Sequence, residues 1–124
     1  MSRKILIADD EPSILAALEF LLQRNDYEVR IARNGDEALQ LIEAFHPDLV
    51  LLDVMMPQKS GYEVCARVRE RADWRDIKII MLSARGRDAE VSRGLSAGAD
   101  MYVIKPFSTR ELMGRIEGLL AGAV

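Results

Sequence analysis

The 124-residue chain has room for one domain and little more. Apolar residues make up 49% of it, enough for a packed core, while a formal net charge of −3 provides no basic field to hold nucleic acid through its phosphates. Cys65 is the single cysteine, which excludes an intramolecular disulfide and fits a reducing cytoplasm, and no run approaches the roughly 20 apolar residues that span a bilayer.

Behind the basic start, the run Ile5-Leu6-Ile7-Ala8 is too short for a signal peptide and reads as a first strand, with Asp9, Asp10 and Glu11 after it. Pro12, a good first-turn residue, opens a helix with Ile14, Leu15, Leu18, Leu21 and Leu22 at helical spacing. Glu28-Val29-Arg30-Ile31 alternates, so the second strand is expected at an exposed edge. Asn34, three residues before Glu37, starts a helix carrying Ala38, Leu39 and Ile42. The third strand, Leu49-Val50-Leu51-Leu52, is an unbroken apolar run, as parallel strands buried on both faces are, and Asp53 follows it. Ser60 precedes Glu63 by three and opens a third helix with Val64 and Val68. Trp74 falls in the loop before the fourth strand, Ile79-Ile80-Met81-Leu82, and Ser83 follows that strand.

Residues 88–98 predict a marginal fourth helix: Val91 and Leu95 alone form its apolar stripe, and Ser92, Gly94 and Ser96 lower its intrinsic helicity. Marginal elements are the ones that move. Tyr102-Val103-Ile104 reads as the fifth strand, with Lys105 and Pro106 next. Ser108, three before Glu111, starts a last helix with Leu112, Ile116, Leu119 and Leu120. The Ser60 and Ser108 pairs fit a capping box, in which the Glu carboxylate reaches back to an orphan amide; the Asn34 start is a looser version. Residues 121–124 read as the start of a linker, and 1–124 as one domain.

Strand and helix alternate five times. The expected fold is α/β: a flavodoxin-like, doubly wound, five-stranded parallel sheet of order 2-1-3-4-5 with five helices. Ligands in such sheets bind outside the carboxyl ends of the strands. Four strand ends deliver Asp9, Asp10, Glu11, Asp53, Ser83 and Lys105 to one edge. Singly, each has an ordinary reading as a helix lead-in, a turn residue, a loop cap or a solvated charge. Together they converge. Crowded carboxylates repel unless protonated or bridged by a cation, all-oxygen ligation favours a hard ion such as Mg²⁺ or Ca²⁺, and a carboxylate can attack phosphorus.

Other chemistries on this fold fit poorly. The acidic loop after the first strand would repel the phosphate of a flavin mononucleotide. The phosphate-binding Gly-x-x-x-x-Gly-Lys-Ser/Thr loop and the dinucleotide glycine fingerprint are absent. An aspartyl-phosphate phosphatase would want a second Asp two residues after a nucleophile on the first strand, where Asp9 is followed by Asp10 and Glu11. A non-phosphorylated scaffold on the same fold is the remaining rival.

Four segments carry a resemblance: Lys4-Ile-Leu-Ile-Ala-Asp-Asp-Glu11, Pro47-Asp-Leu-Val-Leu-Leu-Asp-Val-Met-Met-Pro57 with Gly61, Ser83-Ala84, and Gly98-Ala-Asp-Met-Tyr-Val-Ile-Lys-Pro-Phe107. In order and spacing they resemble the receiver domains of two-component response regulators. The resemblance implies that Asp53 is the phosphoacceptor. It implies Mg²⁺, or Mn²⁺ in its place, held by Asp10, Asp53, the backbone carbonyl of Met55, and Asp9 directly or through water. Lys105 and Ser83 would bind the phosphoryl group, Ser83 and Tyr102 would form the switch, and the Lys105–Pro106 peptide would be cis. The Met55 and Arg85 side chains would flank the phosphoryl group and tune water access.

The implied partners are a sensor histidine kinase or phosphotransfer protein and an output domain or target protein. A phosphorylation-dependent homodimer through the fourth helix, fifth strand and fifth helix is a further implication. Asp100, Glu111 and Arg115 stand where transcription-factor receivers pair charges across that dimer, but Val91, Ser96 and Met101 break the pattern. No direct contact with nucleic acid or membrane is expected, and the expected location is cytoplasmic. His46 and Cys65 read as structural.

Overall fold

Parallel strands cannot be joined by hairpins, so each crossover carries the chain back over the sheet through a helix. The computed structural model describes residues 3–84 and 88–121. Within them the elements run β1 (Lys4–Ala8), α1 (Pro12–Arg24), β2 (Glu28–Ala32), α2 (Gly35–Phe45), β3 (Leu49–Asp53), α3 (Gly61–Arg69), β4 (Lys78–Ser83), α4 (Asp88–Ser96), β5 (Met101–Ile104) and α5 (Thr109–Ala121). The sheet is parallel with order β2-β1-β3-β4-β5, the expected doubly wound arrangement. A short 3-10 turn, Ala72–Trp74, occupies the connection read as plain loop. No helix among the described residues is long and apolar enough to cross a membrane.

The two-residue period of a strand splits the unbroken apolar runs between two cores. Leu6, Val50, Leu52, Ile79 and Met81 face α2 and α3. Ile5, Ile7, Leu49, Leu51, Ile80 and Leu82 face α1 and α5. β2 lies at the edge, with Val29 and Ala32 buried and Glu28 and Arg30 exposed.

Pro12 takes the first turn of α1. Asn34, Ser60 and Ser108 each accept from the amide three residues on. The reciprocal reach differs from expectation. It is Glu37, in the looser motif, whose carboxylate turns back to accept from the Arg33 amide at 3.0 Å. Glu63 and Glu111 instead pair one turn on with Arg67 and Arg115, where an i,i+4 cation competes for the carboxylate.

α4 forms where the marginal helix was expected. Its proposed apolar stripe faces outward, with Leu95 47% exposed and Val91 only partly covered. Gly94 is the buried residue of this helix, because the helix seats its smallest side chain where it approaches β5. Ala121 ends α5 rather than starting a linker, and residues 122–124 lie outside the described residues. His46 caps α2 in the left-handed conformation (φ 53°, ψ 61°), a structural role.

Candidate functional site

β1 and β3 are neighbours, and their register pairs Ala8 with Leu52. The next residue on each strand therefore lands side by side at the carboxyl edge, and these are Asp9 and Asp53. The chain continues from Asp9 to Asp10 before α1 begins, so a third carboxylate joins them. One oxygen from each of Asp9, Asp10 and Asp53 lies within 4.8 Å of the other two. Asp9 is fully buried, Asp53 nearly so, and Asp10 is exposed.

The Asp9 carboxylate is held from two sides. Oδ1 accepts from the Glu11 amide at 2.9 Å, and Oδ2 accepts from Lys105 Nζ at 3.2 Å. The same ammonium lies 3.6 Å from Asp53 Oδ1, which also accepts from the Met55 amide at 3.4 Å. Lys105 reaches this point because β5 ends beside β4: Ser83 pairs with Ile104, and the Lys105 amide donates to the Ser83 carbonyl at 2.7 Å. Ser83, 1% exposed, ends β4 on the same edge. The Lys105–Pro106 peptide is cis.

Burial first, then the neighbouring Asp9 charge, pushes the Asp53 carboxyl up to about 6 against the opposing pull of Lys105 and the Met55 amide, with Asp10 pushing it up further. One ammonium thus fails to neutralise the carboxylates around it. That charge excess and an all-oxygen donor set fit a hard divalent cation.

The loop after β3 is pinned at both ends. The Val54 amide donates to the Leu82 carbonyl and the Gly61 amide to the Val54 carbonyl. Gly61 abuts the Asp53 carbonyl so closely that a Cβ there would collide with it. Lys59, which carried no reading from sequence, pairs with Asp36 at 2.6 Å, and the Gly35 amide donates to the Pro57 carbonyl, so the first turn of α2 braces this loop. The Met55 side chain is 53% exposed beside the site. Arg85 lies outside the described residues. An open groove of about 430 Å³ runs alongside, lined by Glu11, Ile14, Ala84, Lys105, Pro106 and Phe107.

Tyr102 lies within β5 and not at the carboxyl ends of the strands. Its ring is partly buried against the α2/α3 side of the sheet, turned toward Gly94 and Met81. Sequence reasoning missed Tyr62, whose helical position beside Val64 and Val68 reads as core. It is 8% exposed, and its hydroxyl donates to the Glu90 carbonyl at 3.3 Å. Burial, followed by a hydrogen bond shared with Tyr102, raises the Tyr62 phenol above its ordinary value. Asp100 and Glu111, candidates for intermolecular pairing, are engaged within the chain by Arg69 and Arg115.

Residues 5–117 match the family described as "Response regulator receiver domain". A protein given as a probable transcriptional regulator, ycf27, from Cyanophora paradoxa is 51% identical over 118 residues, which are 95% of this chain and 48% of that protein. The chain therefore spans about half the length of this relative. Among solved structures, one given as a response regulator from Chloroflexus aurantiacus J-10-fl is 39% identical, with TM-score 0.92 over 98% of this chain and 99% of that one. The BeF3-activated N-terminal receiver domain of Klebsiella pneumoniae RstA is 30% identical, with TM-score 0.89 over 95% and 98% of the two chains.

Proposed function

The chain belongs to the response regulator receiver domain family, and from that premise we propose that it is a phosphoacceptor switch in a two-component phosphorelay, with Asp53 as the acceptor. The observation that carries this reading is the meeting of the Asp9, Asp10 and Asp53 carboxylates with the Lys105 ammonium at one strand edge. In it, 1–124 is a single receiver domain.

Asp10, Asp53, the Met55 carbonyl and Asp9, directly or through water, would hold Mg²⁺, with Mn²⁺ as a substitute, and the bound ion would supply charge neutralisation on the phosphoryl oxygens. An Asp53 carboxylate oxygen attacks the phosphorus of a phosphohistidine on a sensor kinase or phosphotransfer protein. The P–O bond forms as the P–N bond breaks, and the imidazole nitrogen leaves with the electron pair. Lys105 and the Ser83 hydroxyl hold the phosphoryl oxygens. Water later hydrolyses the acyl phosphate, returning the carboxylate and inorganic phosphate, with the Met55 and Arg85 side chains limiting its approach. The chain thus promotes its own phosphorylation and dephosphorylation but acts as a regulator, not as an enzyme on a separate substrate. The groove lined by Ile14, Pro106 and Phe107 suits the donor protein.

Phosphorylation adds roughly −1.5 to −2 charge and three acceptor oxygens. Ser83 is drawn to them, and Tyr102, already turned inward, packs more closely behind it, which biases α4, β5 and α5 between two pre-existing arrangements. That face carries exposed Leu95 and Ile104, apolar contacts for an output domain, a target protein or a second copy. The cytoplasm, where phosphohistidine donors reside, is the location this reading implies.

The test is intact mass after incubation with Mg²⁺ and a small acyl phosphate, with Asp53→Asn in parallel. The parent gains one phosphoryl group, chelator abolishes the gain, and the variant gains nothing. No gain in the parent, with a cognate kinase also failing, would leave the scaffold reading in its place.

A further inference from the structure

Tyr62 occupies the second position of α3, directly after Gly61, whose backbone lies against the Asp53 carbonyl. Its side chain leaves the acceptor loop and crosses to α4. There the hydroxyl donates to the Glu90 carbonyl at 3.3 Å, and the Arg93 guanidinium stacks over the ring at 4.2 Å from its centroid. Glu90 and Gly94 are four residues apart, so they share one helix face.

At Gly94 the space is already filled. A Cβ built there would lie 2.8 and 3.0 Å from two carbons of the Tyr102 ring and 2.9 Å from Met81 Sδ. The Tyr102 ring therefore takes the volume that a side chain on α4 would occupy. Tyr62 also shares a hydrogen bond with Tyr102. A glycine inside a helix costs about 1 kcal/mol relative to alanine. Here the missing methyl has a steric reason.

We propose that Tyr62 and Gly94 build the seat that holds Tyr102 inward, with the Tyr62 hydroxyl as a direct mechanical link from the Asp53 loop to the first turn of α4. The inference rests on the receiver reading only for what the link transmits; the seat itself belongs to the unphosphorylated chain. Tyr62 is a positioning residue, acting on Tyr102 and α4 and not on the phosphoryl group. It gives the acceptor loop a route to the α4–β5–α5 face through α3, parallel to the route through Ser83. Displacement of the loop then pulls on Glu90 and Tyr102 together.

The test uses the full chain with Tyr62→Phe, which keeps the ring and removes one hydroxyl, and Gly94→Ala, which adds one methyl. Amide exchange across α4 and the Tyr102 ring resonances are followed by NMR before phosphorylation and after it. Intact mass is measured in parallel. In Tyr62→Phe, loss of one hydrogen bond speeds exchange of the protected α4 amides by about five-fold, and the Tyr102 ring signals shift. In Gly94→Ala the Tyr102 signals move further, despite the better helix former. In both variants Asp53 still gains a phosphoryl group, while the resulting shifts along Met101–Ile104 shrink at least about two-fold, the scale of a fraction of one hydrogen bond.

Unchanged Tyr102 signals and unchanged α4 exchange in Tyr62→Phe would overturn the seat. So would a Gly94→Ala chain with Tyr102 unmoved and α4 simply better protected, as helix propensity alone dictates. A parent that takes up no phosphoryl group would instead sink the acceptor reading, and the measurements on unphosphorylated chains would still decide the seat.

Discussion

Lys105 Nζ stands 3.6 Å from Asp53 Oδ1, a contact between the ends of two strands that are not neighbours in the sheet, since β4 lies between β3 and β5. The Lys105 side chain spans the end of β4 to make it. Among the described residues Lys105 is the cation at the site, and it also holds the fully buried Asp9. Replacing it with Met leaves that carboxylate without its ion-pair partner, which destabilises the metal-free chain by roughly 2–4 kcal/mol. Mg²⁺ recovers much of the loss by taking over the neutralisation. Denaturant unfolding with and without Mg²⁺ measures both effects. Phosphoryl uptake in this variant slows at least about ten-fold, the scale of one charge-assisted contact.

Acidity gives a second prediction. The Asp53 carboxyl of the metal-free chain is held at about 6, above the ordinary 3.8, by burial and then by Asp9. A raised folded value means that the proton binds more tightly in the folded chain. The group's contribution to stability is full below the unfolded value of 3.8 and is lost as pH rises through about 6. Asp53→Asn, neutral at every pH, keeps what the parent loses. Their difference in unfolding free energy should open between those two pH values and level off above 6 at about 1–3 kcal/mol in favour of the variant. Urea titrations in chelator across this range test it, and a pH-independent difference would contradict the assignment.

Far from the site, Arg69 ties α3 to the α4–β5 connection. Its Nε donates to the Gly98 carbonyl at 2.8 Å, one terminal nitrogen donates to the Ile77 carbonyl at 2.7 Å, and the other pairs with Asp100 at 2.8 Å. Asp100 also accepts from the Ile79 amide. Arg69→Met leaves these acceptors unpaired and should cost about 2–4 kcal/mol. It should leave phosphoryl uptake at Asp53 within about two-fold, because these contacts lie at the opposite end of β4 and lose no charge-assisted bond at the site. Thermal melts and the mass assay separate the two effects.

Cys65 is fully buried, and burial pushes its thiol up to about 11. The native chain should therefore react with a thiol reagent at least about 100-fold more slowly than the unfolded chain near neutral pH. The residual rate then reports opening between α3 and the Ala97 carbonyl, which the thiol faces at 3.4 Å.

What was legible in the sequence follows from one-dimensional signals. Unbroken apolar runs gave the buried parallel strands, alternation in Glu28-Val29-Arg30-Ile31 gave the β2 edge, and the residue after each run gave the carboxylates, Ser83 and Lys105. What was hidden depends on contacts between distant segments. Gly94 reads as a weak point in a helix until Tyr102 is seen in its place. Val91 and Leu95 form an apolar stripe by their helical spacing, but spacing alone does not show which way the stripe turns, and Leu95 is 47% exposed. Lys59 has no periodic signal, and its partner Asp36 lies 23 residues away in the chain. Tyr62 reads as one more apolar position, since nothing local shows that its hydroxyl reaches Glu90.

The most direct measurement of the central claim is chemical trapping of the acyl phosphate. After phosphorylation with Mg²⁺ and a small acyl phosphate, borohydride reduces an aspartyl phosphate to homoserine, and peptide mass spectrometry locates the change. Homoserine is expected at position 53 alone. Reduction at Asp9 or Asp10 with Asp53 intact, or a phosphoryl group that resists reduction and sits on Ser83 or Tyr102, would contradict it.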